Sequence, residues 1–179
     1  MASKNYINNR KMFEVMNEYI EKCRTEDKRI ANTEETANYP PIPDYIGECF
    51  MLIAKKLSNK FNFSRYPFKE EMISDGIENC CLYLRNFNPQ KTENPFAYFT
   101  QIITFAFIRR IQKEKKQMYI KFKNFERLQL SDMATGQAVM QTEVNEISNA
   151  FIDAYEEKML TNKQKSVKIS DNVNKLFKE

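Results

Sequence analysis

The run Asn94-Pro95-Phe96-Ala97-Tyr98-Phe99-Thr100-Gln101-Ile102-Ile103-Thr104-Phe105-Ala106-Phe107-Ile108-Arg109-Arg110 decides how this chain is read. Asn94 before Pro95 is a helix-start pair. An Asn side chain caps free amide groups, and proline at the first helical position lacks only an N–H that had no partner. Helical periodicity then continues to at least Gln117. At 100° per residue, Phe96, Phe99, Ile103 and Ala106 share one face, which reads as a core stripe. The other side holds Tyr98, Gln101, Phe105, Arg109, Gln112 and Lys116. Aromatic rings placed there stack on unpaired bases, each worth about 1–3 kcal/mol, while Arg and Lys hold phosphates. The competing reading packs Tyr98 and Phe105 on a neighbouring helix and leaves the cations solvated.

Working outward, residues 8–28 predict an amphipathic helix, with Met12, Met16, Tyr19, Ile20 and Cys23 at three- and four-residue steps. The stretch Ala31 to Pro43 ends in Tyr-Pro-Pro-Ile-Pro and reads as a linker. A second helix is expected after Asp44 as N-cap, running to about Phe61, with Ile46, Cys49, Phe50, Ile53, Leu57 and Phe61 buried. A third is expected over Lys69 to Asn86, with Met72, Ile73, Ile77, Cys80 and Leu84 inward; Asn88-Pro89 then marks a turn. Strand alternation is absent. The fold class is therefore all-α: a compact domain of three or four helices over 44–127, preceded by an N-terminal helix and Pro-rich linker (1–43). A partly flexible extension (128–179) follows, containing an acidic helix candidate from Gln137 to Met159.

Composition narrows the chemistry. The chain has 179 residues, 42% apolar and 29% charged, which suits a globular fold. It contains no His, which removes the commonest general base and imidazole metal sites. Its three glycines leave no material for a phosphate-cradling loop. Cys23, Cys49, Cys80 and Cys81 lack the paired spacing of a zinc site and are expected to pack as small hydrophobes in a reducing compartment. No metal or other cofactor is expected, and neither is catalysis. No apolar run approaches the roughly 18 residues of a membrane span, so no membrane partner is expected. Net charge is only +4, yet the stretch from Arg109 to Arg127 carries eight basic residues against Glu114 and Glu126. Ser131 to Glu157 inverts the sign, with no Lys or Arg. A basic segment beside an acidic one points to an anionic partner for the first.

Several pieces then resemble conserved region two of bacterial sigma factors. These are Ile53-Ala54-Lys55-Lys56-Leu57-Ser58-Asn59-Lys60, Glu71-Met72-Ile73-Ser74-Asp75-Gly76 and Phe96-Ala97-Tyr98-Phe99, in order and with similar spacing over residues 45–117. Within that family the chain is most similar to the late-transcription sigma factors of T-even-type phages. The likeness rests on Asn5-Tyr6-Ile7-Asn8-Asn9, on Leu-Ser-x-x-Phe-Asn-Phe-Ser (Leu57 to Ser64), on Glu-Met-Ile-x-Asp-Gly-Ile-Glu (Glu71 to Glu78) and on Asn-Pro-x-Ala-Tyr (Asn94 to Tyr98).

The resemblance implies a sigma-like specificity factor that binds bacterial core RNA polymerase in the host cytoplasm. It would recognise and open the minus-ten-type element of phage late promoters. By the same resemblance Lys55, Asn59, Ser74, Asp75, Glu78 and Cys81 would meet the polymerase clamp helices. Promoter DNA would meet Tyr98, Phe99, Gln101, Phe105, Arg109, Arg110, Gln112, Lys113 and Lys116, and the loop Asn88 to Asn94 would capture an extruded base. Ile102 and Ile103 stand where the major sigma factors carry a tandem tryptophan wedge, and Phe99 also falls on the core stripe. Residues 128–179 are too short for the usual second DNA-reading domain. In the phage family a C-terminal peptide binds the polymerase flap instead, a role that falls here to Val173, Leu176 and Phe177. A phage coactivator and a sliding clamp are further expected partners. Two alternatives stay open: a helical polymerase-binding regulator or inhibitor that does not read DNA, and a nonspecific nucleic-acid binder with steep salt dependence.

Overall fold

In the computed structural model residues 6–32, 36–134 and 146–162 are described, and every regular element among them is helical. In chain order these are α1 (Asn9–Asn32), α2 (Asp44–Ser58), α3 (Phe61–Ser64), α4 (Lys69–Tyr83), a 3-10 turn at Leu84–Asn86, α5 (Pro95–Ala134) and α6 (146–162). The fold class is all-α, as the periodicity predicts. The chain divides inside α5 into two units, Met1–Ile111 and Gln112–Glu179.

Local chemistry starts the two long helices of the first unit. Asn8 Oδ1 accepts from the Lys11 amide at 3.1 Å, and Asn94 Oδ1 accepts from the Ala97 amide at 3.0 Å, so each Asn satisfies a free N–H of its first turn. The inward stripes of α1, α2 and α4 then form one core with Phe99, Ile103 and Phe107 of α5. Phe50 meets Phe99 at 4.6 Å between ring centroids, and Phe63 meets Phe107 edge-on at 5.2 Å. Because α1 contributes Met12, Met16, Tyr19, Ile20 and Cys23 to that core, it belongs to the first unit and is not set apart by the linker. The linker itself is tied back to α1. The Asn38 amide donates to Glu26 Oε1 at 2.7 Å, Tyr39 donates to Asp27 at 2.8 Å, and the Arg85 guanidinium lies 4.2 Å from the Tyr39 ring centre.

Three expectations change. The second helix ends at Ser58, and Lys60 is extended (φ −68°, ψ 148°), so Phe61 begins α3 and is 72% exposed. Phe63 takes the core place two residues later, while Arg65 covers the Phe61 ring at 4.5 Å. Asp44 is the first residue of α2, not its cap; Pro43 holds the cap position. Cys23, Cys49 and Cys80 pack as small hydrophobes, but Cys81 is exposed because it lies on the outer side of α4.

At Gly76 the side chains of α5 lie directly against the α4 backbone. A Cβ built there would stand 3.0 Å from Phe107 Cε1 and 3.1 Å from Ile103 Cγ2, and both of those side chains are fully buried. Neither has room to retreat.

In the second unit, α6 runs antiparallel to the distal part of α5. Tyr119 stacks on Tyr155 at 4.7 Å, and Phe122 meets Phe151 at 5.4 Å. Tyr119 donates to Glu156 at 2.8 Å, and Lys123 pairs with Glu156 at 3.2 Å. The acidic helix expected over Gln137 to Met159 is thus seen over 146–162, and its portion before 146 lies outside the described residues.

Gly76→Ala is expected to lower unfolding stability by about 1–3 kcal/mol through overpacking, read from thermal or urea denaturation. The Arg29 side chain and then the Asn38 amide hold the Glu26 carboxyl down to about 2. A depressed carboxyl contributes stability that is complete above its unfolded value near 4.5 and is lost as pH falls toward 2. Melting temperature should therefore drop less between pH 5 and pH 2 in Glu26→Gln than in the parent chain.

Candidate nucleic-acid and protein interface

The residues expected to contact DNA separate by their place around α5. Gln101, Phe105 and Arg109 are exposed, Phe105 by 51%. Tyr98 is half-buried against Phe87 (5.3 Å) and Phe99 (5.0 Å), and burial pushes its hydroxyl pKa up. Phe99 is wholly buried, so its expected DNA contact is corrected: it is a core residue wedged beneath Phe50. Ile103 is equally buried and Ile102 half-buried against the same core, which leaves neither free as a wedge. In the second unit Gln112, Lys113 and Lys116 are all exposed on α5.

Two roles assigned to different partners are spent on each other. Arg110 Nε donates to Asp75 Oδ2 at 2.6 Å and its Nη2 to Oδ1 at 2.7 Å, a two-pronged pair with side-chain exposures of 18% and 27%. Arg110 therefore does not serve as a free phosphate ligand, and Asp75 does not present a free carboxylate to polymerase. The physical reason is proximity: the close approach at Gly76 places its neighbour Asp75 within reach of a fixed guanidinium fork. One turn further along α4, Asn79 accepts from Arg109 Nη2 at 2.6 Å while donating to the Asp75 carbonyl at 2.7 Å.

The other expected polymerase-facing residues are exposed. Ser74, Glu78 and Cys81 follow one another along the outer side of α4, Lys55 lies on the outer side of α2, and Asn59 holds that helix's C-cap position. Asn59 accepts a hydrogen bond from Lys69, which links the end of α2 to the start of α4. Partial burial raises the Cys81 thiol pKa. Met51, Leu52, Leu82 and Tyr83 are also exposed on these two helices, adding apolar surface to a polar face. Mixed surfaces of this kind suit a protein partner. Val173, Leu176 and Phe177 lie outside the described residues.

One feature was missed from sequence. Tyr6, Ile7, Asn9, Asn94 and Phe96 line a cavity of about 210 Å³ where the starts of α1 and α5 meet. Asn9 Oδ1 accepts from the Phe96 amide at 3.2 Å across 87 residues, and the Tyr6 and Phe96 rings meet edge-on at 5.8 Å. The two Asn carbonyls are thus engaged with backbone amides, which turns their NH2 groups into the donors on offer. Both segments stood out in the sequence, but as separate helix starts; nothing local says that they touch. Nearby, Asn88 organises the loop through its own turn, accepting from the amides of Gln90, Lys91 and Thr92.

Among the described residues no group of three His, Cys, Asp or Glu is placed to hold a metal ion, and no helix is long and apolar enough to cross a membrane.

Asp75→Ala is expected to cost about 1–3 kcal/mol in urea denaturation, between the values of exposed and fully buried pairs. Arg109→Gln, at an exposed single contact, should cost less than about 1 kcal/mol. In comparison with known proteins the chain matches no protein-family model and no curated protein.

Proposed function

We propose that this chain is a sigma-like specificity factor, which binds bacterial core polymerase through α2 and α4 and reads the minus-ten-type element of phage late promoters along α5. The observation that carries this reading is the division of α5 itself. Its Phe99–Ile103–Phe107 side is buried without remainder, whereas Gln101 and Phe105 stand free on the far side, and the exposed Arg109 beside them spends one N–H on Asn79 and keeps its others. An exposed ring with an amide and a guanidinium is what an unpaired strand requires: a surface for stacking, donors for base edges and a cation for phosphate. The cavity between Tyr6, Asn9, Asn94 and Phe96 supports it. Its size and its aromatic and amide lining suit one unstacked base. The outer sides of α2 and α4 supply the polymerase surface, and catalysis belongs to the polymerase.

Two points favour a polymerase-binding regulator that does not read DNA as the second reading. Phe99 is spent on the core and Arg110 on Asp75, which reduces the residues left for DNA.

The deciding experiment is transcription from a supercoiled late-type promoter with core polymerase, with and without this chain, in the presence of a coactivator. Initiation at a defined start that requires the chain is expected. Phe105→Ala should reduce that initiation about 5- to 160-fold, the equivalent of one lost stacking contact, while polymerase binding and melting temperature stay close to the parent. Glu78→Lys should instead weaken co-elution with core polymerase. Polymerase binding without initiation on any template would establish the second reading.

A further inference from the structure

In the second unit Tyr119 and Phe122 of α5 are occupied on one side, and four of its cations are exposed on the other. Tyr119 and Phe122 are engaged by the rings of Tyr155 and Phe151, and Lys123 is neutralised by Glu126 and Glu156 at 3.3 and 3.2 Å. Opposite them, at 100° per residue, the helix presents Lys113, Lys116, Ile120, Lys121, Asn124 and Arg127, every one exposed. Glu126 lies on the side toward α6, and Glu114 stands at the margin of the sector. Four cations therefore follow one another over about 21 Å of helix, at about 1.5 Å of rise per residue, with no carboxylate between them.

We infer that this sector is a track for the backbone of double-helical DNA, in which Lys113, Lys116, Lys121 and Arg127 neutralise phosphates without reading sequence. The inference rests on the promoter-reading proposal and adds a duplex contact to it. A carboxylate-free row of cations suits a polyanion, because each phosphate neutralised releases condensed counterions. The absence of an aromatic ring from the sector argues against an unpaired strand, which binds by stacking bases on rings. Ile120 and, just past Arg127, Leu128 are its apolar side chains, two separate residues about 12 Å apart along the helix and too little for a protein interface with an apolar centre. The track is thus a different kind of surface from the Gln101–Phe105 side in the first unit.

The test is fluorescence anisotropy of the full chain with a duplex of about 20 base pairs lacking any promoter element, from about 50 to 200 mM salt. Replacing Lys113, Lys116, Lys121 and Arg127 together with Gln should lower the magnitude of the slope of log affinity against log salt by about 3–4. It should also weaken binding at low salt at least tenfold. A control removes four charges from α1, at Arg10, Lys11, Lys22 and Lys28, and should change that slope by less than about 1. An unchanged slope in the first variant, or equal losses in both, overturns the track. A loss confined to a single-stranded oligonucleotide, with duplex binding intact, overturns it as well. The two proposals fail separately: an unchanged slope with promoter-dependent initiation intact removes the track alone, and a full slope without initiation removes the promoter reading alone.

Discussion

The approach of α4 to α5 at Gly76 is the constraint on which the first unit depends. With no Cβ at that point, Phe107 and Ile103 lie directly against the α4 backbone. That contact brings Asp75 to Arg110 and Asn79 to Arg109, so that an apolar close-packing point is flanked by polar clasps. The ion pair owes its geometry to the packing, since a two-pronged guanidinium–carboxylate contact tolerates little displacement of either helix. The helix that carries the proposed polymerase surface is thereby held rigidly to the one that carries the proposed DNA surface. Ser74 and Glu78 point outward from one side of the joint, Gln101 and Phe105 from another.

The charge pattern takes on a different meaning once its partners are known. In sequence, Arg109 to Arg127 is one basic stretch. In the structure its members are used differently: Arg110 in an ion pair between helices, Arg109 in a hydrogen bond to Asn79, Lys123 in a local cluster with Glu126 and Glu156, and Lys113, Lys116, Lys121 and Arg127 in water. Local charge density says that cations are present; it does not say which have already been neutralised. The acidic segment that follows serves in part as an internal counterion, because Glu156 is held below the usual carboxylate range by Tyr119 and Lys123.

Helical periodicity predicted most of the core because burial repeats at the same spacing as the helix. Met12, Met16, Ile46, Phe50, Ile53, Met72, Cys80, Phe99 and Ile103 all lie inside as their positions indicate. It failed at Phe61, where a single extended residue resets the helical phase and no nearby glycine or proline announces the break. The same stripe placed Phe99 in the core, and family resemblance placed it on DNA; burial decides for the core. The cavity at Tyr6, Asn9, Asn94 and Phe96 was beyond periodicity altogether, since it depends on a hydrogen bond between residues 87 positions apart.

What the sequence by itself determined is everything governed by neighbours three or four residues away: the helices, their capping asparagines, the inward stripes and the all-α class. What only the tertiary structure decided is which outward side chains remain available. Arg110 and Lys113 are cations three residues apart in one basic run. One meets Asp75, 35 residues earlier, and the other meets solvent. The difference arises because an ion pair forms only where packing brings two helices close enough to fix both partners, and that proximity is set by contacts distant in the chain.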